Sequence, residues 1–312
     1  MPRGRAGPCI LVTMKVRFGK LMAGGTAAAL LLAIAGCTHA ADPGAAPSRV
    51  ANTTRSTTSV VPTTTTPPTP TTTTPPKVDF TGAINQAVAD VPDGRISIEI
   101  YDRLNKAVVG SYNTDEPWYT ESVVKLLIGL DSLDNGGSPA KVSEMISRSD
   151  DNTASALWGQ LGGVKVITTM AAKIGLRHTT PPSKPGEWGD TRVTADDLVL
   201  IYEYILNTAP TSERDTIVDA MHNATNLGAD GTDQYFGIPY AVGGASYWAV
   251  KQGWACCEPG WVLNTTGLVG TGGRYIVIAL TSHNTGGGNA VRKKDSNELT
   301  QAIKDLLPSL TS

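Results

Sequence analysis

Ser122 and Lys125 are the pair in this sequence best suited to covalent chemistry, three residues apart in Thr120-Glu121-Ser122-Val123-Val124-Lys125-Leu126-Leu127. The apolar run that follows predicts a buried helix over 122–133, and side chains three apart on a helix share a face. A hydroxyl at a helix N-terminus feels the positive end of the helix dipole, which favours a developing alkoxide. A neutral lysine beside it can take the hydroxyl proton and make the serine a nucleophile. The spacing alone is a weak signal, because Ser138-Pro139-Ala140-Lys141 repeats it in the same chain.

The elements that must hold such a pair are legible from periodicity and punctuation. A helix is expected near 80–91, followed by strands over 96–101 and 107–112 joined through the turn Asp102-Arg103-Leu104-Asn105-Lys106. Helical patterns then cover 122–133, 139–147, 153–160, 163–174, 194–207 and 211–222, separated by Gly and Pro. Three strand-like runs follow, over 247–252, 261–267 and 275–281, and a last helix over 295–307. Strands at both ends with helices between predict one α+β domain over 78–312, its N- and C-terminal strands sharing an antiparallel sheet beside a central helical lobe.

What precedes that domain reads as an address. Met14-Lys15-Val16-Arg17-Phe18-Gly19-Lys20 is basic, Leu21 to Ala35 is a short apolar run, and the signal is complete even if translation starts at Met14. The apolar run is too short for a spanning helix, which needs about 20 residues. Ile34-Ala35-Gly36-Cys37 resembles a bacterial lipobox, which implies removal of residues 1–36 and lipid on Cys37; the alternative is an ordinary signal peptide with an incidental cysteine. Residues 37–77 are dominated by Ala, Thr and Pro, cannot bury apolar surface, and predict an extended, solvated stalk. An extracytoplasmic domain held to the membrane by its lipid is the expected arrangement. The whole chain has 312 residues, is 40% hydrophobic and carries a net charge of −2. That balance lacks the basic footprint of a nucleic-acid binder. Four His without metal-ligand spacing argue against a zinc site, and no cofactor is expected. In the predicted domain, the adjacent Cys256 and Cys257 are either a strained vicinal disulfide or two buried thiols.

Two further stretches change the weight of Ser122. Met145-Ile146-Ser147-Arg148-Ser149-Asp150-Asp151-Asn152 falls where one helix ends and another begins, and Val250-Lys251-Gln252-Gly253-Trp254 lies on the first late strand. With Ser122-Val123-Val124-Lys125, their order resembles the S-x-x-K, S-D-N and K-T-G elements of class A β-lactamases and penicillin-binding proteins. Met-Ile-x-x-Ser-Asp and Lys-x-Gly-Trp also look like actinobacterial lipoproteins of the same serine-hydrolase group. The resemblance implies that Ser122 attacks a β-lactam or D-alanyl peptide carbonyl and Lys125 relays its proton. It implies that Ser149 protonates the leaving nitrogen, while Lys251 holds Ser149 and attracts a substrate carboxylate. The N–H groups of Ser122 and Trp254 would form the oxyanion hole, and Gly253 would let substrate approach the strand.

The departures are chemical. Asp151 stands where the family has Asn, unless Asn152 takes that role. An ionised Asp can only accept hydrogen bonds, so it would repel a substrate carbonyl and hold Lys125 charged. Gln252 replaces the hydroxyl residue that would meet the substrate carboxylate. The family's E-x-x-L-N does not occur. Glu187, in Lys184-Pro185-Gly186-Glu187-Trp188-Gly189-Asp190, is either a water-activating base or an exposed loop acid. Thr194 is the expected N-cap of the helix that follows it. Trp248, Trp254 and Trp261 are expected to pack on the sheet, the alternative being a platform on which substrate stacks. Three readings follow: a monomeric serine acyl-transfer enzyme with slow deacylation, a degenerate relative that binds peptidoglycan or an envelope partner, and an unrelated lipoprotein.

Overall fold

A computed structural model describes residues 80–256, 260–283 and 288–310. The expected signal segment, Cys37, the stalk and Cys257 lie outside the described residues. The first helix, α1 (Thr81–Ala89), precedes the strands β1 (Gly94–Asp102) and β2 (Ala107–Tyr112). A short strand β3 (Trp118–Tyr119) and a 3₁₀ turn (Glu121–Val124) lead into α2 (Lys125–Asp134). The helical lobe continues with α3 (Pro139–Ser147), α4 (Asp151–Gln160), α5 (Lys165–Ile174), β4 (Arg192–Val193), α6 (Ala195–Asn207) and α7 (Thr211–His222). The chain then passes through α8 (Ile238–Val242), β5 (Trp248–Ala255), β6 (Val262–Val269) and β7 (Tyr275–His283), and closes with α9 (Asn289–Leu310).

The main sheet has the order β2-β1-β7-β6-β5, so the last strand pairs with the first. Every pairing in it is antiparallel. The two-residue repeat of a strand sends alternate side chains to opposite faces. On β7, Tyr275, Val277 and Ala279 join the core that α1 and α9 cover, with Phe80, Ile84, Leu299, Ile303 and Leu306. Ile276, Ile278 and Leu280 join the core of the helical lobe, against Leu198, Ile201 and Ile205. Both faces of β7 are thus covered, which explains an unbroken apolar strand. α2 lies at the centre of the lobe, buried from Lys125 to Leu133.

The expected helix over 122–133 is corrected at its start. Its first turn is 3₁₀, and the α-helix begins only at Lys125. The second Ser-x-x-Lys match has a local explanation, because Ser138 caps α3 and accepts from the Lys141 N–H at 3.5 Å. Thr194 caps α6, accepting from the Asp197 N–H at 3.2 Å. The short β3–β4 pair went unread in the sequence because two residues carry no periodicity.

Candidate active site

Three connections converge on one buried point: the turn before α2, the link between α3 and α4, and strand β5 at the edge of the sheet. The turn is held from behind by Asn264 on β6, whose amide donates to the Tyr119 carbonyl at 2.9 Å and the Thr120 carbonyl at 3.4 Å. The Thr120 N–H donates to the Thr191 carbonyl at 2.9 Å, tying the same turn to the segment before α6. Gly253 on β5 completes the seat. A Cβ there would lie 2.7 Å from the Thr120 carbonyl oxygen and 3.1 Å from Val123 Cγ2. Gly253 therefore admits the chain's own turn, a role that the sequence had not suggested.

Lys125 is the hub. Its Nζ donates to Ser122 Oγ at 2.6 Å, the Ser149 carbonyl at 3.0 Å, Ser149 Oγ at 3.3 Å and Asp151 Oδ1 at 2.6 Å. It also sits 4.6 Å above the ring centre of Trp188. Lys251, equally buried, donates to Ser149 Oγ at 2.9 Å and to the Gln252 carbonyl at 2.9 Å. Ser149 thus lies between two lysine Nζ atoms, in a left-handed backbone conformation with φ 54°. Burial depresses the Lys125 pKa, and the adjacent Asp151 and the hydrogen bond to it partly restore it. Burial, then the charge of Lys125, pushes Lys251 far below the ordinary lysine value, with Asp151 opposing. Burial and mutual repulsion thus both disfavour the charged form of these lysines.

Ser122 opens into a cleft of about 420 Å³ whose lining includes Glu121, Asp151, Glu187, Trp188, Asp230 and Trp254. Asp151 takes the position beside Lys125, while Asn152 is exposed. Asp150 instead caps α4, accepting from the Thr153 N–H at 2.6 Å. Glu187 is half exposed and accepts from Lys184 at 3.1 Å, which lowers its pKa. Trp254 walls the cleft and donates from its indole to Asp230 Oδ2 at 3.1 Å. Trp261 is buried, and Trp248 packs against the sheet core.

Gln252 is corrected: it does not face the cleft. It is 1% exposed and donates to the carbonyls of Gln234 at 3.1 Å and Phe236 at 2.6 Å. Gln234 in turn donates to the Ser147 carbonyl at 2.9 Å. The two glutamines therefore brace β5 to the α3–α4 link, fixing the separation of Lys251 and Ser149. Cys256 is disulfide-bonded.

Glu121, Asp230 and Asn264 were not singled out in the sequence. Glu121 precedes the serine with φ 48°, a conformation rare for a side chain of that size. Burial raises its carboxyl pKa to about 7, with Asp190 and Asp151 adding to the rise and Lys125 opposing it. Asp230 and Asn264 come from segments far from the three motifs, so spacing offered no pointer to them.

Comparison with known proteins places the family and the fold. Residues 141–307 match the model of the beta-lactamase enzyme family, a match that begins beyond Ser122 and Lys125. The chain is 33% identical over 227 residues to "Putative lipoprotein LppW" of Mycobacterium tuberculosis, covering 69% of this chain and 70% of that protein. The Mycobacterium bovis protein of the same name matches equally. Among solved structures, the class A β-lactamase from Mycobacterium abscessus superposes with a TM-score of 0.61 at 17% identity, over 73% of this chain and 98% of that one. A class A β-lactamase from Bacteroides cellulosilyticus gives 0.61 at 15% identity, over 74% and 99%.

Proposed function

Because the chain belongs to the beta-lactamase enzyme family, we propose that it is an exported serine acyl-transfer hydrolase with Ser122 as nucleophile. The observation that carries this reading is Lys125 Nζ at 2.6 Å from Ser122 Oγ, with Ser149 Oγ shared between Lys125 and Lys251. In its neutral form Lys125 takes the Ser122 proton as Oγ attacks an acyl carbonyl. Ser149, held by Lys251, delivers a proton to the leaving nitrogen as the C–N bond breaks and regains one from Lys125, 3.3 Å away, leaving an ester on Ser122 and Lys125 neutral again. Water then releases the acid.

The family's two substrate types are not equally suited to this cleft. Acidic side chains of Glu121, Asp151, Glu187 and Asp230 line it, and Gln252 leaves no hydroxyl facing a substrate carboxylate. An amine-bearing D-alanyl peptide also carries a terminal carboxylate, so its better fit than a penicillin rests on its amine, which these acidic groups attract. A second reading, a binding protein without turnover, is favoured by the Asp151 Oδ1 contact at 2.6 Å, which raises the Lys125 pKa against the effect of burial and so disfavours its neutral form. Glu187, exposed and tied to Lys184, is a poor water activator, so an acyl-enzyme would persist.

Intact-mass measurement on the full-length protein with a labelled penicillin, and separately with an amine-bearing D-alanyl peptide, tests both readings. A slow, long-lived adduct absent from Ser122→Ala is expected. Label retained in Ser122→Ala removes the nucleophile, and the absence of any adduct or cleavage on folded protein selects the binding reading. We also propose lipid attachment at Cys37, supported by relatives named as lipoproteins. Palmitate labelling that survives Cys37→Ala would count against it.

A further inference from the structure

His283, the last residue of β7, is fully buried, and neither ring nitrogen makes a hydrogen bond. Nδ1 lies 3.7 Å from Asp295 Oδ2 and Nε2 lies 3.5 Å from Glu298 Oε2. Asp295 is 1% exposed, with both carboxylate oxygens unpartnered, and Glu298 Oε2 is unpartnered as well. Five of the fourteen buried, unpartnered side-chain atoms among the described residues therefore sit in this one cluster. Buried polar atoms in native proteins nearly always have partners, so such a concentration calls for a missing one.

The separations point to what is missing. A charged imidazole–carboxylate hydrogen bond closes to about 2.7–2.9 Å, well inside the distances here. Donors gathered on one ion with bonds of about 2.0–2.2 Å stand roughly 3.4 Å apart in tetrahedral geometry. One ligand atom from each of the three residues can be chosen so that all lie within 4.8 Å of one another, a spread that needs only a small contraction around an ion. Asp295 and Glu298 are three apart and share a face of α9. The second oxygen of Glu298 is already taken by Lys294 at 2.8 Å, which orients Oε2 toward the ring. From these observations we propose that His283, Asp295 and Glu298 bind a divalent transition-metal ion of the Zn²⁺ type. One imidazole nitrogen with two carboxylate oxygens suits such an ion better than Ca²⁺ or Mg²⁺, which favour all-oxygen shells. Water would complete the coordination.

The site is separate from the Ser122 cleft, whose lining includes none of the three residues. Its role is structural: the ion fastens α9 to the end of β7, where Lys294 already reaches Asp93 at 3.1 Å. Sequence spacing argued against zinc because a strand end and a helix face assemble the cluster, with no paired His.

The test uses full-length protein freed of any affinity tag and stripped with EDTA. ZnCl₂, NiCl₂ and MnCl₂ are titrated in separate calorimetric and thermal-melt experiments. One equivalent of Zn²⁺ is expected to bind, raising Tm by roughly 5–10 °C at free metal a hundredfold above Kd. Asp295→Asn and Glu298→Gln each keep side-chain shape and are expected to weaken Zn²⁺ at least about tenfold. Glu298, the more accessible of the two, keeps the test open if the Asp295 variant fails to fold. X-ray absorption should show nitrogen and oxygen neighbours and no sulfur. No stoichiometric binding with an unmoved Tm, or binding that both variants retain, overturns the proposal. A sulfur shell, which would place the ion on the cysteines, overturns it too.

Discussion

Glu121 is held by its neighbours in a state that ordinary glutamates do not occupy at neutral pH. Burial is the first cause of its raised pKa, about 7, and Glu99 is raised to about 8 by burial and by Asp196. Both groups bind protons more tightly in the folded chain than in the unfolded one. Their contribution to stability is therefore present at low pH and falls as pH rises from about 4.5 through 7 and 8. The slope is at most ~1.4 kcal/mol per pH unit per group. Glu99→Gln is expected to flatten Tm against pH over that window, and an unchanged slope would reject the assignment. Burial lowers the Lys125 pKa, and Asp151 opposes that by raising it. Asp151→Asn should move the pH–rate profile of acylation to lower pH, speeding acylation near neutrality by roughly tenfold per unit shifted. Acylation that slows instead would mean that Asp151 orients Lys125 rather than restraining it. At this scale the sequence showed Ser122, Lys125, Ser149 and Lys251 because fixed spacing carries them. Gln252 was misread: its position on β5 was visible, whereas its carbonyl partners at 234 and 236 lie on a loop without periodicity.

The elements were read more fully than their junctions. β2 and α7 have the residues their patterns predict, since Gly, Asn and Pro mark the ends. α9 begins earlier than expected, at Asn289, because the unbroken polar run from Arg292 to Asn297 hides its periodicity. The junctions that build the site depend on close approach between distant segments. At Gly253 the approach is so tight that Gly253→Ala should push the Thr120 carbonyl away, because the new Cβ would start 2.7 Å from its oxygen. A loss of about 1–3 kcal/mol is expected from such overpacking, with acylation slowed by more than the stability loss explains. A stable, fully active alanine variant would show that the turn can yield. Removal of the α4 cap by Asp150→Ala should cost about 0.5–2 kcal/mol, readable in urea unfolding.

The sheet joins the two ends of the described chain, and α9 covers one of its faces. Leu299, Ala302, Ile303 and Leu306 are each fully buried there, against Ile98, Val277 and Ala279 among others. A chain ending before Asn289 should lose cooperative melting and bind hydrophobic dyes, because that sheet face would be bare. A cooperative, dye-silent truncation would show the helix to be dispensable. Strands at both ends around a helical lobe were legible from the order of periodicities, but strand neighbours were not, because pairing partners are remote in sequence. That remoteness bears on the proposed export. β1 gains its inner neighbour only when β7, the last strand, arrives. A polypeptide whose sheet stays open until its far end has emerged is slow to lock into a bulky native form. It can be threaded through a narrow membrane channel first and close afterwards.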